Sequence, residues 1–161
     1  HARAGRRVVR LKGGDPHLCS RGAEEAVALT ARGIAVEVTP GVTAATAAGA
    51  ASGLRRGASI TVASGNHDPA GPVVDWASLG RDRGDGALVV LTGRAHQRQV
   101  ADGLVGGGRD RATPAAVVAS AGRPQIAVRP TPLGDLGAVR LPPPAAVVVA
   151  PDRPGGGRAH P

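Results

Sequence analysis

At 161 residues with a formal net charge of +8, the chain is long enough to bury a core, and its charge favours anionic partners. Only Trp76 is aromatic, which argues against base-stacking nucleic-acid recognition and predicts a core of valine, leucine and alanine with marginal stability. A single cysteine, Cys19, excludes an internal disulfide, and no apolar run approaches the ~18 residues of a membrane span, so the expectation is a cytoplasmic protein with no membrane partner.

Short apolar runs alternate with helical or turn-forming stretches. Val8 to Leu11 reads as a first strand that runs directly into Gly13 and Gly14. Gly22 to Arg32 reads as a helix, with Glu24 and Glu25 in its first turn, Arg32 in its last and Gly33 as its stop. A strand over Ile34 to Val38 leads into Pro40 and Gly41, and a small-residue helix follows over Thr43 to Ala51, capped by Thr43. Gly53 to Gly57 reads as the boundary between two lobes, dividing the chain into residues 1–53 and 54–150.

Beyond it, strands are expected at Ser59 to Ala63, Ala87 to Leu91, Ala115 to Ala119, Gln125 to Val128 and Ala145 to Val149. Asn66 to Gly84 reads as a surface loop around a turn at Asp75 and Trp76, and His96 to Val105 as a third helix whose first residues are solvated. Residues 151–161 lack periodicity and large apolar side chains, which predicts a disordered tail. The alternation as a whole indicates an α/β protein.

Chemistry concentrates near the start. The run Arg10-Leu11-Lys12-Gly13-Gly14-Asp15-Pro16 ends a strand in two glycines, where backbone comes close to a ligand, and sets a carboxylate beside them. Ser20-Arg21-Gly22-Ala23-Glu24-Glu25 and Thr39-Pro40-Gly41-Val42-Thr43-Ala44-Ala45 follow it. His17 and Cys19 form an isolated pair with no second pair at ligand spacing, so no metal site is expected. Phosphate-loop, dinucleotide and hydrolase-elbow motifs are absent from the sequence.

These blocks resemble the uroporphyrinogen-III C-methyltransferases, a tetrapyrrole methylase family. Weaker matches continue in the same order through Ser59 to Val62, Asp75-Trp76, Gly86 to Leu91, Gly108 to Asp110 and Thr113 to Val118. The resemblance implies a two-lobed α/β methylase fold with the cofactor cleft between lobes, and a homodimer when complete. It implies S-adenosylmethionine as methyl donor and a tetrapyrrole polycarboxylate as substrate, methylated at carbons 2 and 7 to give precorrin-2 for sirohaem and cobalamin synthesis.

Carried onto this chain, the cofactor contacts fall on Gly13, Gly14, Asp15, Leu18, Thr43 and Ala44. Arg10, Lys12 and Arg21 are the expected substrate contacts, since guanidinium and ammonium groups suit carboxylates. The family's proton-handling aspartate and lysine lie upstream of the segment matched, so no catalytic residue is assigned. The absence of methionine and the histidine at position 1 are read as a missing N-terminal part and an incomplete first lobe. Thr92 and Ala121 depart from the family's methionine and glycine, and the segment around Leu54 to Gly57 is shortened. Two alternatives stay open: a methylase for a later corrin intermediate, and a non-catalytic basic module that binds an anion or, less in keeping with the composition, a nucleic acid.

Overall fold

The computed structural model describes residues 1–54, 57–66, 73–82, 85–92 and 96–151. The expected tail, apart from Pro151, and the pair Arg55 and Arg56 lie outside these residues. Two compact units form, His1–Ala44 and Ala45–Pro161, with the division falling at the first turn of a helix rather than in the Gly53 to Gly57 segment.

The first unit holds α1, Gly22–Thr30, and a single 3-10 turn, Ala2–Ala4. α1 carries Glu24 and Glu25 in its first turn, where the exposed N–H groups favour negative charge. It ends at Thr30, two residues short of the expected Arg32, while Gly33 takes a left-handed φ of 73° and the Arg32 guanidinium donates to the Ala28 carbonyl at 2.7 Å. The two strands expected here are not formed. Val8 to Leu11 and Ile34 to Val38 carry no regular secondary structure and no ladder bonds, and Val9 and Leu11 are 79% and 84% exposed. A β-strand is stabilised by its neighbour's hydrogen bonds and side chains, and neither run is paired with another strand among the described residues.

α2, Ala44–Ala51, enters the second unit at Ala45 and buries Ala45, Ala48 and Gly49. It is organised around a mixed five-stranded sheet: β1 (Ser59–Ser64), β2 (Gly86–Thr92), β3 (Pro114–Ala119), β4 (Ala127–Pro132) and β5 (Ala145–Val149), in the order β1-β2-β5-β3-β4. β1 and β2 are parallel; the remaining pairs are antiparallel. Consecutive residues Val147, Val148 and Val149 are all fully buried, so β5 is covered on both faces, which is why these strands read as continuous apolar runs. β4 is displaced from the expected Gln125 to Val128. It is an edge strand, where Pro130 and Pro132 are tolerated because the missing N–H groups need not enter a ladder.

Two further helices pack beside this sheet. α4, Gln97–Gly106, buries Val100, Ala101 and Leu104 in the main core with Val90, Val117, Val147 and Leu136. α3, Trp76–Arg81, occupies part of the stretch expected to be a loop; Asp75 caps it by accepting from the Ser78 N–H at 2.9 Å. The α3–α4 contact depends on missing side chains: a Cβ at Gly80 would lie 2.2 Å from the Leu104 carbonyl oxygen, and one at Gly107 would lie 2.1 Å from that of Ala77. Gln97, expected to be solvated, is instead 1% exposed, and both amide atoms lack a hydrogen-bond partner among the described residues. The helix turns it inward because it shares a face with Val100, Ala101 and Leu104.

Candidate functional site

The segment from Gly13 to Gly22 is a tightly wound loop. Gly14, Cys19 and Arg21 take positive φ, the Gly22 N–H donates to the Pro16 carbonyl at 2.9 Å, and the Ser20 hydroxyl donates to the carbonyls of Asp15 and Pro16. Arg21 immediately precedes α1, so the loop delivers the chain into that helix.

The second expected segment closes against the first. A Cβ at Gly41 would stand 2.4 Å from the Gly14 carbonyl oxygen, and one at Gly14 would stand 3.5 Å from the Val42 carbonyl oxygen. Asp15 fastens the two: its Oδ1 accepts from the His17 N–H at 2.9 Å and its Oδ2 from the Gly41 N–H at 3.3 Å. These backbone donors, His17 first and Gly41 second, hold its carboxyl below the ordinary 3.8. Two oxygens offer about four lone-pair positions, so Asp15 retains capacity for a ligand donor.

Gly13 is open on its side-chain face, where a Cβ would meet nothing within 4 Å, whereas Gly14 backs onto the 42–44 segment. Leu18 is half-buried beside them, Thr43 is half-buried and directly precedes α2, and Ala44 opens that helix with an exposed side chain. All six residues expected to meet a cofactor therefore lie in the paired segments 13–18 and 41–44.

Arg10 and Lys12 converge, but on a protein carboxylate. Glu25 Oε1 accepts from Lys12 Nζ at 2.8 Å and from Arg10 Nη2 at 3.2 Å, and these two cations hold its carboxyl below the ordinary 4.5. The Lys12 side chain is only 10% exposed, while that of Arg10 is 67% exposed. Arg21 lies at the exposed end of the wound loop. Sequence reasoning assigned no site role to Glu25, Ser20 or Gly41. The spacing of Lys12 and Glu25 was visible, but only the fold turns a helix-start glutamate toward the lysine that follows the 8–11 run.

The departures fall as follows. Thr92 is the last residue of β2, and Ala121 sits in a turn between Ser120 and Gly122, both at positive φ. Among the described residues, no three His, Cys, Asp or Glu side chains gather as a metal site would require.

Comparison with known proteins gives the family. The chain matches the tetrapyrrole (corrin/porphyrin) methylases over residues 1–137. It is 37% identical over 155 residues to siroheme synthase 1 of Serratia proteamaculans, covering 92% of this chain and 32% of that protein. It is 37% identical over 160 residues to a uroporphyrinogen-III C-methyltransferase of a Sinorhizobium species, covering 92% of this chain and 56% of that one. The crystal structure of uroporphyrin-III C-methyl transferase from Thermus thermophilus, complexed with S-adenyl homocysteine, superposes with a TM-score of 0.78 at 36% identity, over 94% of this chain and 69% of that chain. The chain thus spans about a third to just over half of these curated relatives, and it belongs to the tetrapyrrole methylase family.

Proposed function

We propose that this chain is the S-adenosylmethionine-binding part of a uroporphyrinogen-III C-methyltransferase, with its first unit corresponding to the later part of the family's first lobe. The observation that carries the reading is the pairing of Gly13-Gly14-Asp15 with Gly41-Val42-Thr43-Ala44 through the Asp15 carboxylate. Likeness to the Thermus enzyme, held with S-adenyl homocysteine, supports the choice of cofactor.

In this reading the open face of Gly13 lets backbone approach the cofactor, Asp15 accepts from an amine or hydroxyl, and Leu18, Thr43 and Ala44 complete the contact surface. When bound, S-adenosylmethionine would supply an activated sulfonium methyl for transfer to a pyrrole carbon of the substrate. The chain's own part is to orient the two reactants. Arg10, the more exposed partner of Glu25, and Arg21 are placed to meet substrate carboxylates, while the largely buried Lys12 holds Glu25. The complete protein acts as a homodimer in the same reading.

Gly13 provides the test, because alanine there meets nothing in the folded chain and its φ is not left-handed. Calorimetric titration with S-adenosylmethionine and S-adenosylhomocysteine should show affinity at least tenfold weaker in Gly13→Ala with an unchanged Tm, and weaker binding in Asp15→Ala. Binding indifferent to both substitutions, or no binding by the unsubstituted chain, overturns the proposal.

A further inference from the structure

The arginines look scattered in the sequence, yet the first unit gathers four of them around one recess. Arg3, Arg6, Arg7 and Arg32, all exposed, line an open surface depression together with Gly33 and Ile34, and no acidic residue among those described lines it. Local structure explains the gathering. The 3-10 turn Ala2–Ala4 is closed by Gly5, whose N–H donates to the Ala2 carbonyl at 2.9 Å, and this turn sets Arg3 near Arg6 and Arg7. Arg32 arrives from the end of α1.

Among the described residues, none of the four guanidinium groups is neutralised. Arg3 and Arg7 make no side-chain hydrogen bond or ion pair there; Arg6 reaches only the His1 ring, at 3.4 Å, and Arg32 spends one donor on the Ala28 carbonyl. The carbonyl end of α1 contributes about half a negative charge, too little to offset four cations. Like charges set close together on an exposed surface repel one another within the screening length of the salt, and an anion with several closely spaced charges relieves that repulsion. A guanidinium also presents a planar fork matched to carboxylate and phosphate oxygens.

We propose that Arg3, Arg6, Arg7 and Arg32 form an oligoanion-binding site, composed of different residues from the cofactor segments, that takes a small ligand bearing clustered phosphate or carboxylate groups. A nucleic acid fits less well: no aromatic side chain lines the recess to stack a base.

Calorimetric titration of the 161-residue chain with tripolyphosphate, with citrate and with a single-stranded oligothymidylate tests this. The expected result is saturable binding of tripolyphosphate or citrate that weakens at least tenfold in the double variant Arg3→Gln/Arg7→Gln. The charge-matched control Arg98→Gln/Arg129→Gln should change it less than twofold. The tighter of the two small probes identifies phosphate or carboxylate as the preferred group. Arg32→Gln serves as a second variant should the double one lose its circular-dichroism spectrum. Equal weakening by site and control variants, tightest binding to the oligonucleotide, or no binding of either small anion overturns the site.

Discussion

Asp15 and Glu25 show how single side chains hold the first unit together. Each is a carboxylate kept ionised by what it touches, Asp15 by backbone N–H groups and Glu25 by Lys12 and then Arg10. A carboxyl whose pKa is lowered on folding adds stability that is complete above its unfolded value and is lost as pH falls through its folded one. Stability should therefore hold above about pH 5 and decline through and below the ordinary values of 4.5 and 3.8. Asp75, lowered chiefly by the Ser78 hydroxyl and N–H, adds to the same trend. Thermal unfolding followed from about pH 6 to about pH 3 should show this loss, and Glu25→Gln should show a smaller one. An equal slope in that variant would remove Glu25 from the explanation. Gly41→Ala makes the complementary point: its methyl would collide with the Gly14 carbonyl, separating the paired segments and costing about 1–3 kcal/mol. A Tm unchanged in Gly41→Ala contradicts the close pairing.

Among the elements, α4 carries the clearest energetic consequences. Leu104 is fully buried in the main core, so Leu104→Ala should cost about 2–5 kcal/mol by denaturant unfolding. Gln97, on the same face, presents the reverse case. A buried amide without partners forfeits about 1–3 kcal/mol of hydration, so Gln97→Leu should leave stability unchanged or raise it. A clear fall in the denaturation midpoint of Gln97→Leu would show that the amide is satisfied in solution. α4 was legible because its apolar residues recur at helical spacing over ten residues. α3 was not, because six residues carry too little pattern and its cap, Asp75, reads equally well as a turn residue. Edge strand β4 was placed too early because a proline ordinarily ends a strand, and nothing in the local sequence marks it as an edge.

Across the whole molecule, the two units differ in what protects their backbones. In the second, β2, β5 and β3 lie inside the sheet, each paired on both sides. In the first, the runs at 8–11 and 34–38 have no ladder at all among the described residues. Amide hydrogen exchange should therefore be slowest in β3 and β5 and fastest across 8–11 and 34–38. Strong protection of residues 8–11 would show that they are paired in solution. By itself the sequence determined the α/β class, the central strands, α1 with its acidic start, and the two glycine segments that carry the family likeness. Those are local signals, written in runs of neighbouring residues. Only the tertiary structure decided that Val8 to Leu11 stays unpaired, that Asp15 spans to Gly41, that Glu25 takes up Lys12 and Arg10, and that four arginines share one recess. Each of those depends on which distant groups the folded chain brings within a few ångströms, and no neighbouring residue encodes that distance.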